Sequence, residues 1–139
     1  MNTDKELLID QLTEKVIGCA YNVGKALGSG FVESVYQNAL AIELHSAGLF
    51  CEKEVPIDVI YKEQVVGQFR ADLLVNKELI LELKAVDKIV AAHEVQLVNY
   101  LKATGKDYGL IINFGQSVEV KRKFRLYKPR GTNVTIEAF

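Results

Sequence analysis

The chain has 139 residues, of which 49% are hydrophobic and 25% charged, and its formal net charge is −1. This length and balance fit a single globular domain over residues 1–139, with enough buried surface to fold without disulfide or metal staples. A net charge this close to zero gives no bulk argument for nucleic-acid binding, so any such function must depend on local clusters of basic residues.

Cysteine usage and the N-terminal sequence bear on the compartment. Cys19 and Cys51 have no paired spacing, which excludes a Cys-x-x-Cys metal or redox motif. The first residues are polar and acidic with no apolar segment behind them, so we expect no signal peptide. No stretch approaches the roughly 18 uninterrupted apolar residues of a membrane span. We therefore expect a cytoplasmic protein without membrane contact.

Two helices are predicted in the first third of the chain. Apolar residues recur at helical spacing over residues 8–27, after a capping-box pattern at residues 3–6. Glycines at 28 and 30 end this period, and a second helix is predicted over residues 31–47. Four apolar residues are predicted near the buried side of the second helix: Val35, Ala39, Ile42 and Leu49.

The next segment predicts an antiparallel meander. From residue 54 the apolar period changes to two, which indicates strands over residues 54–61, 65–75 and 79–86. Short polar turns separate these strands, and connections this short join antiparallel neighbours.

A crossover helix and further strands complete the predicted fold. Asp87 is a good N-cap for a helix over residues 88–104, and the apolar run Tyr108–Phe114 predicts a strand parallel to the third. Additional strands are predicted over residues 118–127 and 134–139. The expected fold class is α/β, a mixed sheet with an antiparallel meander, a parallel strand after a crossover helix, and flanking helices.

Three charged residues lie on the two strands joined by the predicted turn at residues 76–77. Side chains alternate along a strand, so Glu82 and Lys84 share a face, and Asp72 lies on the neighbouring strand. Two acids beside an ammonium group suit a hard cation such as Mg²⁺ or Mn²⁺ and metal-assisted phosphodiester hydrolysis. The apolar run before Glu82 suggests a strand covered on both faces, where charge is costly unless it is paired or metal-bound.

Simpler interpretations of these three residues stay open. Glu-x-Lys is common on solvated strands, where charged side chains normally lie. Asp72, Glu82 and Lys84 would also be explained by an ion-pair network without a metal.

Other polar residues have both a functional and a structural interpretation. Gln96 and Tyr100 share a face of the third helix and could bind a phosphate or a base edge, or merely border its apolar stripe. Glu33 could reach a metal, or serve only as an acid favoured by the helix dipole. The remaining set is a basic run that could contact phosphates, or form a charged edge strand that resists aggregation: Lys121, Lys123 and Arg125.

Taken together, these residues resemble a known family. Gly30-x-x-Glu33-x-x-Tyr36 is similar to the signature of the GxxExxY proteins, a bacterial group within the PD-(D/E)XK nuclease superfamily. Asp72 and Glu82-x-Lys84 resemble the metal-binding motif of that superfamily, although Ala71 stands where its name has proline. Gln96-x-x-x-Tyr100 is similar to a motif of its recombination-type exonucleases.

The resemblance implies a restriction-endonuclease-like fold and a role for each residue. Asp72 and Glu82 would bind Mg²⁺ or Mn²⁺, with Glu33 and the Leu83 carbonyl as further ligands. Lys84 would orient the attacking water, and Gln96 and Tyr100 would hold the nucleic-acid backbone.

These observations lead to a metal-dependent nuclease, with DNA as the expected partner, as the first functional hypothesis. The alternative is a non-catalytic nucleic-acid- or protein-binding module that retains the nuclease fold. The sequence leaves open a homo-oligomer or a protein partner, the choice between DNA and RNA, strandedness, and cleavage from ends or internally.

Overall fold

The structure is a computed structural model that describes residues 4–127 and 136–137. The capping-box prediction begins at residue 3 and so lies partly outside the described residues. No described helix is long and apolar enough to cross a membrane. The elements are α1 (Asp4–Leu27), α2 (Glu33–Ser46), β1 (Cys51–Tyr61), β2 (Gln64–Val75), β3 (Leu79–Lys84), α3 (Ala91–Thr104), β4 (Tyr108–Phe114), β5 (Val118–Phe124), β6 (Leu126–Tyr127) and β7 (Ile136–Glu137).

The first five strands form one mixed sheet in the order β1-β2-β3-β4-β5. β1, β2 and β3 form an antiparallel meander, β4 runs parallel to β3 after the α3 crossover, and β5 is antiparallel to β4. This confirms the predicted α/β architecture. The predicted strand over residues 118–127 is interrupted at Arg125, and its last two residues pair with β7 in a separate two-stranded sheet.

The turn between β2 and β3 sets the register of the site. Asn76 and Lys77 both have positive φ, 50° and 58°, which is typical of the tight hairpin turns that match strand twist. The turn pairs Val75 with Leu79, and the ladder continues to Leu73 opposite Leu81. One further step in the same register places residue 72 opposite residue 82.

The helices cover the two faces of the sheet unequally. Helices α1 and α2 pack on one face with the buried side chains of β2, β3 and β4. Helix α3 packs on the other face against a smaller buried cluster. The predicted buried side of α2 is partly confirmed, because Ala39 packs against the larger cluster and Leu49 after the helix is buried in it, but it is wrong at Ile42, which is 68% exposed. The buried residues of α2, which pack with the sheet and α1, recur every four positions: Tyr36, Leu40 and Leu44.

The predicted start of α3 is also wrong, because its N-cap is Val90 and not Asp87. The Asn113 side chain explains the delay: its Oδ1 accepts the Val86 N–H at 2.9 Å and its Nδ2 donates to the Val86 carbonyl at 2.9 Å. The Ile89 N–H donates to the Glu119 carboxylate at 3.3 Å. These bonds hold the segment before α3 in a non-helical path. Gly105 ends the helix in the left-handed conformation, φ 70°.

Candidate active site

Asp72 and Glu82 lie where the backbone ladder between β2 and β3 ends. Beyond that point each acid accepts a hydrogen bond from the main chain of the opposite strand. The Leu83 N–H donates to Asp72 Oδ2 at 2.7 Å, and the Asp72 N–H donates to Glu82 Oε1 at 3.3 Å. Side-chain oxygens thus replace the carbonyl acceptors of a regular ladder, and each carboxylate is held against the strand that carries the other.

Burial and nearby negative charge disfavour ionisation of both carboxyls. Glu82 is 6% exposed, and burial, followed by the Asp72 charge, raises the pKa of Glu82 to about 8. Burial is also the main cause that raises the pKa of Asp72, and the charges of Glu33 and Glu54 add to it. Both carboxyls are therefore harder to ionise than free acids, and the site is short of positive charge.

Lys84 supplies part of that missing positive charge. It lies two residues after Glu82 on β3, so the two side chains leave the same face of the sheet. Its ammonium group lowers the pKa of both Asp72 and Glu82, but less than burial raises them. Within the described part of the chain, no ion pair shorter than 4 Å joins Lys84 to either acid. The ion-pair network considered above is therefore not formed.

Helix α2 brings a third carboxylate towards the pair. Glu33 is the first residue of α2 after the Val32 N-cap, and its charge raises the pKa of both Asp72 and Glu82. One turn later, Gln37 Nε2 donates to the Asp72 carbonyl oxygen at 2.9 Å. This bond ties α2 to β2 directly below Glu33. The structure thus brings Glu33 within electrostatic reach of the acids, on an exposed side of the site.

Tyr36 fixes the start of α2. Its hydroxyl donates to the Gly28 carbonyl at 2.6 Å and accepts the Phe31 N–H at 3.3 Å. Its fully buried ring stacks on Phe114, with centroids 4.6 Å apart. Gly30 has a φ of 110°, which favours glycine in this loop. In Gly30-x-x-Glu33-x-x-Tyr36, the glycine and the tyrosine therefore shape the loop that presents the glutamate.

Tyr100 approaches the acids from α3. It is 7% exposed, and burial followed by the charges of Glu82 and Asp72 raises the pKa of its phenol, which keeps the hydroxyl protonated. Gln96 lies one turn earlier on the same side of α3 and is half-buried. Both residues line a groove between α3 and the β1–β2 hairpin. Their shared face, read from the spacing, is therefore present beside the acids.

The basic run lies on the edge strand β5 and the residue after it. Lys123 forms an ion pair with Glu94 of α3 at 2.9 Å, and Arg125 pairs with Asp107 at 2.8 Å. Lys121 is exposed and makes no ion pair with any residue that the structure describes. Two of the three predicted phosphate contacts are therefore already paired with carboxylates.

Comparison with known proteins agrees with this fold. A family model described as the PD-(D/E)XK nuclease superfamily matches residues 10–125. The chain belongs to this superfamily. No functionally curated protein matches the chain. The solved structure described as "Crystal structure of SSO0001" is similar, with a TM-score of 0.54 and 19% identity. The match covers 66% of this chain and 48% of that one, so it spans about half of that protein and reflects the fold alone.

PD-(D/E)XK nucleases typically depend on a divalent metal, and the donor set here fits one. The described residues contain no ready-made group of three His, Cys, Asp or Glu ligands. The pair Asp72 and Glu82, however, offers oxygen donors whose pKa values are raised first by burial and then by the charge of neighbouring carboxylates. A hard cation offsets such charge and prefers oxygen ligands. Leu83, the predicted carbonyl ligand, already contacts Asp72 through its N–H.

Glu54 is a site residue that sequence reasoning missed. The β1–β2 ladder pairs Lys53 with Leu73 and Val55 with Ala71, but it leaves out residues 54 and 72 between them. Glu54 has a φ of 53°, and its charge raises the pKa of Asp72. A left-handed glutamate within a strand leaves no sequence signal, since nothing in its neighbours requires that conformation.

Gln37 and Asn113 were missed too, and both carried a signal. Gln37 is four residues after Glu33, so it shares the same helix face. Asn113 is a fully buried polar residue in the otherwise apolar strand β4, and it lies opposite Lys84. A buried asparagine needs hydrogen-bond partners, which here are the backbone groups of Val86 that follow the Lys84 strand.

Proposed function

We propose that this protein is a metal-dependent nuclease that hydrolyses phosphodiester bonds of nucleic acid, with DNA as the expected substrate. The observation that carries this proposal is the buried Glu82 held opposite Asp72, with the pKa of both carboxyls raised. Membership of the PD-(D/E)XK superfamily supports the same activity. A fold does not need such an arrangement, because two crowded acids cost stability.

Each residue of the site has its own role in the proposed reaction. Asp72 and Glu82 would hold Mg²⁺ or Mn²⁺, and Glu33 and the Leu83 carbonyl are the further candidate ligands. When bound, the metal lowers the pKa of a water nucleophile and neutralises charge that develops on the phosphate. Lys84 keeps a positive charge on the same face as Glu82, where it stabilises negative charge at the phosphorus and orients the water.

The groups on α3 serve the substrate and not the metal. The Tyr100 hydroxyl retains its proton because burial and the two acids raise its pKa, so it acts as a hydrogen-bond donor. The Gln96 amide, one helical turn away, offers two further donors. Both would hold a phosphate of the nucleic-acid backbone beside the scissile bond.

We also infer that the chain is of the GxxExxY type within the superfamily. The positive φ of Gly30 and the two hydrogen bonds of the Tyr36 hydroxyl give the glycine and the tyrosine of that signature a physical role. This supports the assignment of Glu33 as the residue that the signature presents to the site.

Cleavage assays test the proposed activity. Single- and double-stranded DNA and RNA are incubated with Mg²⁺ or Mn²⁺, and the wild type is compared with Glu82→Ala. We expect cleavage only with metal, and a loss of about 10³-fold in the variant because transition-state charge is no longer stabilised. Glu78→Ala, which changes an exposed glutamate of the same hairpin, is the matched control. Cleavage that survives Glu82→Ala removes this residue from the mechanism.

Metal binding has a readout that needs no activity. Mn²⁺ at about 100 times its Kd should stabilise the wild type by about 2.7 kcal/mol, because the ion binds only the folded state. Thermal unfolding with and without Mn²⁺ measures the shift. Asp72→Asn should abolish it, whereas an equal shift in that variant would place the metal elsewhere.

A binding module without catalysis is the second candidate, and one observation favours it. Both acids already accept backbone hydrogen bonds, which engage carboxylate oxygens that a metal would otherwise bind. Gel-shift binding without metal, together with no cleavage under any divalent metal, would support this candidate over the nuclease.

A further inference from the structure

A groove lies beside the candidate active site, between α3 and the outer part of the β1–β2 hairpin. Its volume is about 680 Å³, which is within the range of small-molecule sites. Its walls combine exposed apolar side chains with amides and a phenol: Ile60, Phe69, Val95, Gln96, Asn99 and Tyr100.

The chemistry of this groove suits a planar, polar-edged ring. The Phe69 ring is 44% exposed and lies 5.5 Å from the Tyr100 ring, with an interplanar angle of 41°. Part of an aromatic surface is therefore available for stacking. The side-chain amides of Gln96 and Asn99 each offer donors and an acceptor. Aromatic rings next to amides are the groups with which proteins bind unstacked nucleobases.

Tyr100 is common to the groove and to the surroundings of the acids. This residue lines the groove and, at the same time, interacts electrostatically with Glu82 and Asp72. A strand whose phosphate lies at the acids would therefore place a neighbouring nucleotide at the groove.

The charge distribution favours contacts with bases over contacts with phosphates. The formal net charge is −1, and Lys123 and Arg125 are paired with carboxylates. Proteins that bind nucleic acid mainly through its backbone neutralise several phosphates with basic side chains. Base stacking on aromatic rings is the other main source of affinity for single strands.

We propose that the groove between α3 and the β1–β2 hairpin, with Phe69 and Tyr100 as its aromatic floor, binds unpaired nucleobases of the strand that is cut. The inference rests on the proposed nuclease function and adds its substrate class: single-stranded or locally unpaired nucleic acid. Bases inside an intact duplex are stacked and paired, so they cannot enter a side pocket without being extruded.

Binding by the full chain tests the subsite without cleavage. The Glu82→Gln variant in EDTA is titrated into an oligonucleotide containing 2-aminopurine, whose fluorescence falls when the base stacks on a ring. We expect quenching by the single strand, at least tenfold weaker binding of the matching duplex, and at least tenfold weaker binding after adding Phe69→Ala. Phe50→Ala removes another exposed phenylalanine, which does not line the groove, and should leave affinity unchanged.

A second measurement keeps the test informative if Phe69→Ala does not fold. An oligonucleotide that lacks bases but keeps its phosphates should bind the Glu82→Gln protein at least tenfold more weakly than the normal strand. Asn99→Ala, an exposed change on α3, should weaken binding of the normal strand with the fold intact. Equal affinity for abasic and normal strands overturns the proposal.

The remaining outcomes separate the subsite from its rivals and from the nuclease itself. If Phe69→Ala converts a dimer to a monomer in sedimentation without changing oligonucleotide affinity, the groove is a contact between copies and the subsite is wrong. Cleavage of duplex and single strand at the same rate supports the nuclease but overturns the subsite. Quenching by single strands with no cleavage under any metal supports the subsite and overturns the nuclease.

Discussion

The two faces of the sheet are built from the same strands but differ in what they bury. Among the described residues, the face under α1 and α2 carries a cluster of eighteen buried side chains, and the face under α3 a cluster of eight. The larger cluster is almost entirely aliphatic. The face under α3 carries Glu82, Lys84 and Tyr100, and an open groove continues beside it.

This difference separates stability from chemistry within one strand. Leu81 and Leu83 of β3 point into the large cluster, and Glu82 between them points to the other face. A large apolar cluster on one side supplies the free energy needed to keep a costly carboxyl buried on the other. The predictions below test that division, beginning with the largest effect.

Leu44→Ala should be the most damaging change. Leu44 is fully buried in the large cluster, and truncation leaves a cavity that costs about 2–5 kcal/mol of unfolding free energy. Val95 of α3 is 42% exposed, so Val95→Ala should lower the unfolding free energy by less than about 0.5 kcal/mol. Urea unfolding measures both. Equal costs would mean that Leu44 is not held in a close-packed cluster, contrary to its complete burial.

Glu82→Gln should stabilise the metal-free protein, and more so at high pH. The pKa of Glu82 is about 8 in the folded protein, above the ordinary value of 4.5. Protonation of Glu82 therefore stabilises the folded wild type, and this contribution is fully present below about pH 4.5. That gain is lost as pH rises towards 8. The unfolding free energy of the variant does not have this pH dependence. It should exceed that of the wild type by about 2–4 kcal/mol at pH 8.5, with little difference at pH 4.5.

Thermal unfolding in EDTA across this pH range measures the difference. Asp72→Asn should act in the same direction, because burial also raises the pKa of Asp72. A destabilising effect of Glu82→Gln at pH 8.5 would mean that the ionised carboxylate is well compensated in the fold.

Tyr36→Phe should have a smaller effect, at the border between the two regions. The change keeps the ring on Phe114 but removes the hydroxyl that binds the Gly28 carbonyl and the Phe31 N–H. We expect a loss of about 1–2 kcal/mol, because these backbone groups lose their partner. Denaturant unfolding gives the loss, and Tyr21→Phe at an exposed position is the control. A neutral result would mean that water replaces the hydroxyl.

Lys123→Ala should have the smallest effect. Its ion pair with Glu94 joins β5 to α3, but both side chains remain about 30% exposed, at 28% and 31%. Such pairs contribute less than about 1 kcal/mol. Lys121→Ala should cost nothing in stability and should lower nucleic-acid affinity more than Lys123→Ala, because Lys121 has no ion pair to break. Salt-dependent binding of the two variants distinguishes them.

Local patterns predicted the sheet well. The apolar run Tyr108–Phe114 gave the bounds of β4, because a buried parallel strand is apolar throughout and polar turns end it. The turn at Asn76 and Lys77 placed Asp72 and Glu82 on adjacent antiparallel strands, but the register came from the structure, which has three residues between Val75 and Leu79 and so aligns residue 72 with residue 82.

Features that depend on distant contacts were not predictable in this way. The start of α3 depends on Asn113, which lies 27 residues after the Val86 backbone that it binds. Lys123 is engaged in an ion pair because of Glu94, which lies 29 residues earlier in the chain. Spacing within one element cannot reveal such partners. It predicted the shared face of Gln96 and Tyr100, but it predicted neither the ion pairs of the basic residues nor the positive φ of Glu54.

The bond between α2 and β2 has a practical consequence. Gln37 binds the main-chain carbonyl of Asp72 and makes no use of its carboxylate. Asparagine at position 72 would therefore leave the anchorage of α2 unchanged while it removes one negative oxygen. Such a protein is a natural choice for trapping an uncut oligonucleotide in a crystal or on an affinity resin, since the scaffold around the missing charge stays intact.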